Sequence, residues 1–309
     1  MTFNNDARID TSQVSRGGGG GRRGPGRGAV IGGGGGILGA VILVIYMLMG
    51  GDPGDLQQQQ PASGPQDQRN AQDAGPGDLA RCETGRDANT DVECRLIATQ
   101  NSVQAFWREQ LPAASGGQRE WRDTHMVVYN QPVQSACGTA SNEVGPFYCP
   151  LDQTVYMDAS FFDILNRQFG ASKGALAQEY VVAHEYGHAL QDQLNLLGRA
   201  QQDPRGPESG GVRLELMADC FAGMWARGAV NTTDEQGNAY MEPLTESDIK
   251  DALSAAEAVG DDNIQRTATG RVSPENFSHG TSEQRQRWFL AGYGTDDINT
   301  CDTFSADRL

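Results

Sequence analysis

The spacing of apolar residues predicts an α+β protein that is mostly helical. In several stretches of the last two thirds of the chain, apolar residues recur every three or four positions, which is the period of one helix face. Ser160 with Asp163 and Thr281 with Gln284 form the pattern of a capping box, which starts a helix,. The predicted helices cover residues 101–110, 160–170, 174–197, 212–227, 245–259 and 281–292.

Two short β-prone runs, 126–129 and 154–158, precede most of these helices. They are separated by the stretch 131–150, which contains Gly, Pro and Cys, so a small antiparallel sheet is expected. An edge strand of such a sheet can pair with an extended peptide through main-chain atoms. Either run could be that strand, and a purely structural hairpin is the alternative.

An apolar segment without charge, residues 29–49, precedes the amphipathic part of the chain. Its 21 residues would be about 31 Å long as a helix, which matches the core of a bilayer,. The strongly apolar part, residues 37–49, would also suit a signal peptide. No small-residue cleavage pattern follows it, so an uncleaved anchor is the favoured interpretation.

The charges around this segment predict its orientation. Residues 1–28 hold five Arg and two Asp, and the positive-inside rule therefore places them in the cytoplasm,. Residues 51–80 are rich in Gln, Pro and Gly and should form a flexible linker,. The predicted organisation is a basic Gly-rich cytoplasmic tail (1–28), a single-pass type II membrane anchor (29–50), this linker (51–80) and an extracytoplasmic domain (81–309).

The net charge of −16 is concentrated after the apolar segment, and the whole chain contains only two Lys. Nucleic-acid binding requires clustered basic residues to neutralise phosphates, so this class of partner is excluded.

All six Cys follow the apolar segment. An even number of Cys on the exported side indicates disulfides, although fifteen pairings are possible. The simplest is nearest-neighbour pairing: Cys82 with Cys94, Cys137 with Cys149, and Cys220 with Cys301. Cys220 could instead be a metal ligand, but it lies about 140° round the helix from Glu215, which favours the bridge.

The stretch His184-Glu185-Tyr186-Gly187-His188 carries the candidate chemistry. Two His four residues apart lie on one face of a helix and can bind one metal ion, whereas the alternative is a pair of solvated surface His. Glu185 could be the general base that deprotonates a metal-activated water. Gly187 costs a helix about 1 kcal/mol relative to Ala, so another element is expected to pack closely there.

Two His alone hold zinc poorly, and catalytic zinc sites commonly add one carboxylate. Glu215 is the candidate third ligand of a single Zn²⁺ per chain, and Asp219, one helical turn later, could orient a ligand His. The alternative for this pair is a solvated acidic face. His279 precedes the last helix and could donate a hydrogen bond to the transition state, although a lone His before a helix is more often structural.

With these residues in view, the chain resembles the YpfJ-type neutral zinc metallopeptidases, a family of membrane-anchored bacterial proteins. The resemblance covers essentially the whole exported domain, and its motifs occur in the same order. The matching stretches are residues 137–138, 145–150, 184–188, 215–223, 260–262, 279–285 and 301–304.

The resemblance implies a zincin-like fold of the gluzincin type, with His184, His188 and Glu215 as zinc ligands and Glu185 as base. The predicted function is zinc-dependent hydrolysis of peptide bonds in a peptide or protein substrate at the cell envelope. Two alternatives remain open: a non-catalytic, zinc-stabilised binding domain at the cell surface, and a hydrolase of a non-peptide envelope amide.

Overall fold

The computed structural model describes residues 2–17, 79–142, 144–201 and 203–309. The predicted membrane anchor (29–50) and nearly all of the predicted linker (51–80) lie outside these residues. Among the described ranges, no helix has both the length and the apolar character needed to cross a membrane.

Eight α-helices and six strands make up the described part of the chain, which has a mixed α+β architecture. The strands are β1 (Val14–Gly17), β2 (His125–Tyr129), β3 (Val133–Ser135), β4 (Gly138–Ala140), β5 (Phe147–Cys149) and β6 (Thr154–Asp158). The helices are α1 (Gly85–Thr90), α2 (Val92–Ala114), α3 (Phe161–Phe169), α4 (Ala175–Gln193), α5 (Gly210–Gly228), α6 (Glu246–Ala258), α7 (Asp261–Thr269) and α8 (Ser282–Tyr293).

The main sheet has the strand order β1-β2-β6-β5. Both predicted β-runs form strands, but the expected antiparallel pairing between them is wrong: β2 and β6 pair in parallel, with Val127 opposite Tyr156. Neither strand lies at an edge. The edge strands are β1 and β5, and β5 pairs antiparallel with β6. The predicted substrate-pairing strand therefore could not be either of the two runs that the sequence singled out.

Several helix ends differ from the expected ones. Helix α4 ends at Gln193 rather than 197, because Asn195 adopts the left-handed conformation, with φ +60°,. The hydroxyl of Ser160 donates to Asp158 and accepts no hydrogen bond from the first turn of α3, so no capping box forms there. The capping box at Thr281 and Gln284 is confirmed.

Helix α4 is central to the core, and most of its residues are buried. The prediction of close packing at Gly187 is confirmed, because a β carbon there would come within 3.0 Å of the Ala218 Cα on α5. On the other side of α5, a β carbon at Gly223 would overlap the backbone of Phe289 on α8. Small residues therefore bring α4, α5 and α8 into backbone contact.

The nearest-neighbour pairing of the six Cys is confirmed. Disulfides join Cys82 to Cys94, Cys137 to Cys149, and Cys220 to Cys301. The last bridge ties α5 to the carboxy-terminal residues across 81 positions of sequence. Cys220 is thereby excluded as a metal ligand.

Residues 2–17, here called the amino-terminal segment, lie in the same folded body as residues 79–309. Phe3 is 1% exposed and forms a β-bridge with Met241. Strand β1 extends the main sheet by pairing in parallel with β2. The sequence assigned these residues to a tail separate from the domain, because they are basic and precede the apolar segment. Their packing depends mainly on backbone pairing, which leaves little trace in a hydrophobic pattern.

Candidate metal centre

Three predicted ligands converge between helices α4 and α5. His184 Nε2 lies 3.2 Å from one carboxylate oxygen of Glu215, and His188 Nε2 lies 3.4 Å from the other. The two imidazole rings are 4.8 Å apart between centroids and nearly perpendicular. One ligand atom from each residue lies within 4.8 Å of the others, and all three residues are buried.

These distances fit a tetrahedral zinc site. Nitrogen and oxygen ligands bind zinc at about 2.0–2.2 Å, so at tetrahedral angles they lie roughly 3.3 Å from one another. The separations of 3.2 and 3.4 Å agree with that geometry. Two His and one carboxylate leave a fourth position open, as in catalytic rather than structural zinc sites.

His184 is oriented by Asp219. Its Nδ1 lies 2.8 Å from Asp219 Oδ1, so a ring N–H there donates to the carboxylate and leaves Nε2 to face Glu215. Asp219 is fully buried and also accepts hydrogen bonds from two further side chains. Arg285 donates to both of its oxygens, at 2.8 and 2.9 Å, and the Tyr180 hydroxyl donates to Oδ1.

His188 has a separate orienting partner on its own helix. Its Nδ1 lies 2.9 Å from the side-chain oxygen of Gln191, and the Gln191 amide donates to the Leu214 carbonyl at 2.7 Å. Leu214 directly precedes Glu215, so this bridge links the second ligand to the backbone that positions the third. Such outer partners fix the ring orientation of ligand His residues.

Glu185 and His279 line the same cavity as the three predicted ligands. Helix α7 holds His279 in place through its first residue, Asp261. One Asp261 oxygen accepts the backbone N–H groups of Ser278, His279 and Gly280, at 2.7, 2.7 and 3.1 Å. The other lies 3.3 Å from His279 Nδ1.

The two carboxylates of the site carry negative charge that favours cation binding. Burial alone would raise the pKa of Glu215, but the nearby His residues outweigh it and hold the pKa below the usual range. Burial would likewise raise the pKa of Asp219, and the Arg285 and His184 charges lower it. Both carboxylates are therefore ionised at neutral pH.

The pKa values of two His residues in the site are raised by the neighbouring carboxylates. Burial disfavours a charged His184, but Asp219 and Glu215 raise its pKa to about 9. Burial also disfavours a charged His279, and Glu215 with Asp261 raises its pKa. For Glu185, burial dominates and raises the pKa, which makes this carboxylate a stronger base than one in water,.

The sequence did not single out four residues of this site: Tyr180, Gln191, Asp261 and Arg285. Gln191 stands three positions after His188 on one helix face, which was a usable signal. Asp261 and Arg285 lie within stretches that carried the family resemblance, but nothing local assigns them a partner. The contacts of Arg285 with Asp219 span 66 residues, and only the fold reveals them.

A second group of potential ligands, Cys82, Asp91 and Cys94, is not a metal site, because the two Cys form a disulfide.

The family model described as "Putative neutral zinc metallopeptidase" matches residues 1–304 of the chain. The uncharacterized protein Rv2575 of Mycobacterium tuberculosis is 52% identical over 262 residues, which cover 84% of this chain and 85% of that protein. The uncharacterized protein YpfJ of Escherichia coli K12 is 36% identical over 241 residues, which cover 74% of this chain and 80% of that protein. No solved structure matches.

Proposed function

Since the chain belongs to the family of neutral zinc metallopeptidases, we propose that it hydrolyses peptide bonds with one zinc ion held by His184, His188 and Glu215. The observation that carries this proposal is the convergence of the three side chains, with distances of 3.2 and 3.4 Å between ligand atoms. Zinc, when bound, supplies a Lewis acid that makes a water more acidic and polarises the peptide carbonyl.

Glu185 is the proposed general base. It faces the cavity beside the ligands and has a raised pKa, so it can accept a proton from the attacking water,. The same proton then passes to the leaving amine, as the C–N bond breaks and the carbonyl carbon becomes a carboxylic acid. A structural zinc site would have no use for a carboxylate in this position.

His279 is the proposed donor to the carbonyl oxygen, on which negative charge develops during attack. Its ring lines the cavity, and Asp261 holds it by side-chain and backbone contacts. Its raised pKa favours the charged imidazolium, which is the stronger hydrogen-bond donor,. Arg285 and Asp219 act through His184 rather than on the substrate.

The arrangement also supports a zincin-like fold of the gluzincin type. Helix α4 carries both His residues, α5 supplies a Glu as the third ligand, and the edge strand β5 contributes Phe147 to the cavity. An extended peptide could pair with the free edge of β5 by main-chain hydrogen bonds.

The proposed location is the cell envelope. Three disulfides indicate an oxidising compartment outside the cytoplasm,. Attachment to the membrane through the apolar residues 29–50, across the bilayer or along its surface, is part of the proposal, and this segment lies outside the described residues.

The test compares two isosteric variants on helix α4. Glu185→Gln should retain one zinc per chain and lose cleavage of a peptide library by a factor of at least about 100. Glu179→Gln changes another buried carboxylate of the same helix, outside the cavity lining, and should retain cleavage. Tight zinc binding without cleavage by the unaltered protein would instead favour the binding domain, and undiminished cleavage by Glu185→Gln would refute the mechanism.

A further inference from the structure

An apolar cavity of about 120 Å³ opens beside the metal centre. Its charged or titratable lining residues all belong to the site already described. The rest of the lining is almost entirely apolar and comes from β5 and the loop before it, from helices α3, α4 and α7, and from the end of α6. Its main apolar contributors are Phe161, Ile164, Leu165, Phe169, Val181 and Ile264.

Two of these residues do not pack in the protein core. Ile164 and Ile264 are half-buried and stand outside the packed apolar cluster of the described residues. Ile164 on α3 and Ile264 on α7 thus each present a branched apolar side chain to the cavity. Gly145, also in the lining, packs closely against α3, since a β carbon there would lie 3.2 Å from the Phe161 ring.

The size of the cavity matches one side chain. Apolar cavities of roughly 150 Å³ hold benzene, so a volume of about 120 Å³ suits a somewhat smaller, branched aliphatic side chain such as Leu or Ile,. A charged side chain would lose its hydration there and would find no partner beyond the catalytic groups. Main-chain pairing of a peptide with β5 does not depend on the peptide's side chains. This cavity is therefore the part of the site that can distinguish one substrate side chain from another.

We propose that this cavity binds a branched apolar side chain next to the scissile bond, so that the enzyme prefers substrates with Leu or Ile at that position. The proposal rests on the proposed peptidase function and names its substrate class. Burial of one such side chain should raise kcat/KM by on the order of 10- to 100-fold over Ala or Asp at the same position.

The test uses Ile164, which can be changed without opening the core. The zinc-loaded full chain is incubated with a peptide library, and the cleaved bonds are identified by mass spectrometry. The unaltered protein should cleave next to Leu or Ile. Ile164→Asp should lose this preference and gain one for Lys or Arg. Leu290→Asp is the control, because Leu290 is exposed on α8 and is not among the cavity residues.

A second measurement separates this proposal from the peptidase function. Zinc-loaded Glu185→Gln protein is titrated with two peptides that differ only in Leu or Asp at the selected position. Tighter binding of the Leu peptide, abolished by Ile164→Asp, would support the cavity assignment even if no cleavage is found. Equal binding of the two peptides, or cleavage without an apolar preference, would overturn it.

A separate observation concerns the amino-terminal segment, residues 2–17. At two points, the side-chain amide of an Asn in the domain both accepts a hydrogen bond from and donates one to the backbone of the same residue in this segment. Asn89 accepts from the Phe3 N–H and donates to the Phe3 carbonyl, both at 2.9 Å. Asn101 pairs in the same way with Asp10, at 2.8 and 2.9 Å.

The segment also carries two buried apolar anchors and one ion pair. Phe3 and Val14, the two large ones, are buried in the same core as the helices, and the small Ala7 is buried with them. Arg16 forms an ion pair of 2.8 Å with Glu93 on α2. Beyond these contacts, β1 supplies four residues to the sheet. These interactions require the segment and the domain to share one compartment.

We infer that residues 2–17 and residues 79–309 lie on the same side of any membrane that the chain meets. A single crossing by residues 29–49 would put them on opposite sides. Two crossings would require roughly 40 apolar residues, and the whole uncharged segment is only 21 residues long,. The type II orientation expected from the arginines therefore conflicts with the contacts of β1, and the contacts are the stronger argument because they involve specific pairing.

Labelling in intact cells tests the inference. Ser12→Cys and Asp163→Cys each place one thiol at an exposed position, in the amino-terminal segment and on α3, while the native Cys are paired. A membrane-impermeant maleimide should label both variants or neither, and both should be labelled after the membrane is permeabilised. Labelling of only one variant in intact cells would overturn the inference.

Discussion

Gly187 of α4 lies against Ala218 of α5, and a β carbon at position 187 would come within 3.0 Å of the Ala218 Cα. This contact sets the distance between the helix with both His ligands and the helix with Glu215. The geometry of the metal centre therefore depends on Gly187, although this residue cannot itself bind the metal.

We expect Gly187→Val to lower zinc affinity by about tenfold or more, because the added methyl groups must push α5 away from the two His residues. The helix itself should tolerate the change, since Val has a higher helix propensity than Gly. Zinc affinity is measured by competition with a chelator. Gly198→Ala is the control, because a β carbon added at Gly198 would meet no heavy atom within 4 Å. Unchanged affinity in Gly187→Val would contradict the role of this contact.

Asp219→Asn should weaken zinc binding by about 10- to 100-fold, the range found for partners that orient ligand His residues. The same change removes the charge that pairs with buried Arg285, so the free energy of unfolding should fall by about 3–5 kcal/mol,. Chelator competition and urea unfolding measure the two effects. Gln191→Ala, which removes the neutral partner of His188, should have the smaller effect on unfolding.

His279→Gln should reduce kcat by roughly 100- to 1000-fold, as expected when a donor to the developing oxyanion is removed. Zinc content should stay at one per chain, because His279 is not among the converging ligands. KM should change much less than kcat if the hydrogen bond forms mainly in the transition state. A loss of zinc together with activity would assign His279 a structural role.

Glu179→Gln should change the pH dependence of stability. Burial raises the pKa of Glu179 from 4.5 to about 7, and neither carboxylate oxygen has a hydrogen-bond partner among the described residues. The folded state therefore holds this proton more tightly than the unfolded state. The stability that Glu179 contributes is complete below pH 4.5 and is lost as the pH rises to about 7,.

The expected difference is up to about 3 kcal/mol of extra stability for Glu179→Gln at pH 8, and little difference near pH 4.5. Urea unfolding of the zinc-free protein measures it, so that proton release from the ligands does not contribute. Glu275→Gln is the control, because Glu275 is exposed. A variant that gains equal stability at both pH values would show that the ionisation of Glu179 is not the cause.

Much of the candidate site was predictable because its residues lie at helical spacing. His184 and His188 share one face of α4, and Glu215 and Asp219 share one face of α5. The periodicity of α4 and α5 also gave their extents to within a few residues. Local spacing carries this information because a helix fixes the relative positions of residues three and four apart.

The remaining features depend on contacts between distant parts of the chain. The parallel pairing of β2 with β6 and the edge position of β5 follow from the path of the chain through three short strands, which no local pattern specifies. Helix α7 was missed because it has only nine residues, few of them apolar. Its consequence is large, since its first residue, Asp261, holds His279.

The amino-terminal segment has a consequence for folding. The Arg8 N–H donates to Asp234 at 2.8 Å, across 226 residues of sequence. Residues that leave the ribosome first can therefore dock only after residues near position 240 have been synthesised. Until then the outer edge of β2 has no partner strand and can pair with other chains. Maturation of this protein should thus be slow and largely post-translational, with a late step in which the beginning of the chain closes the sheet.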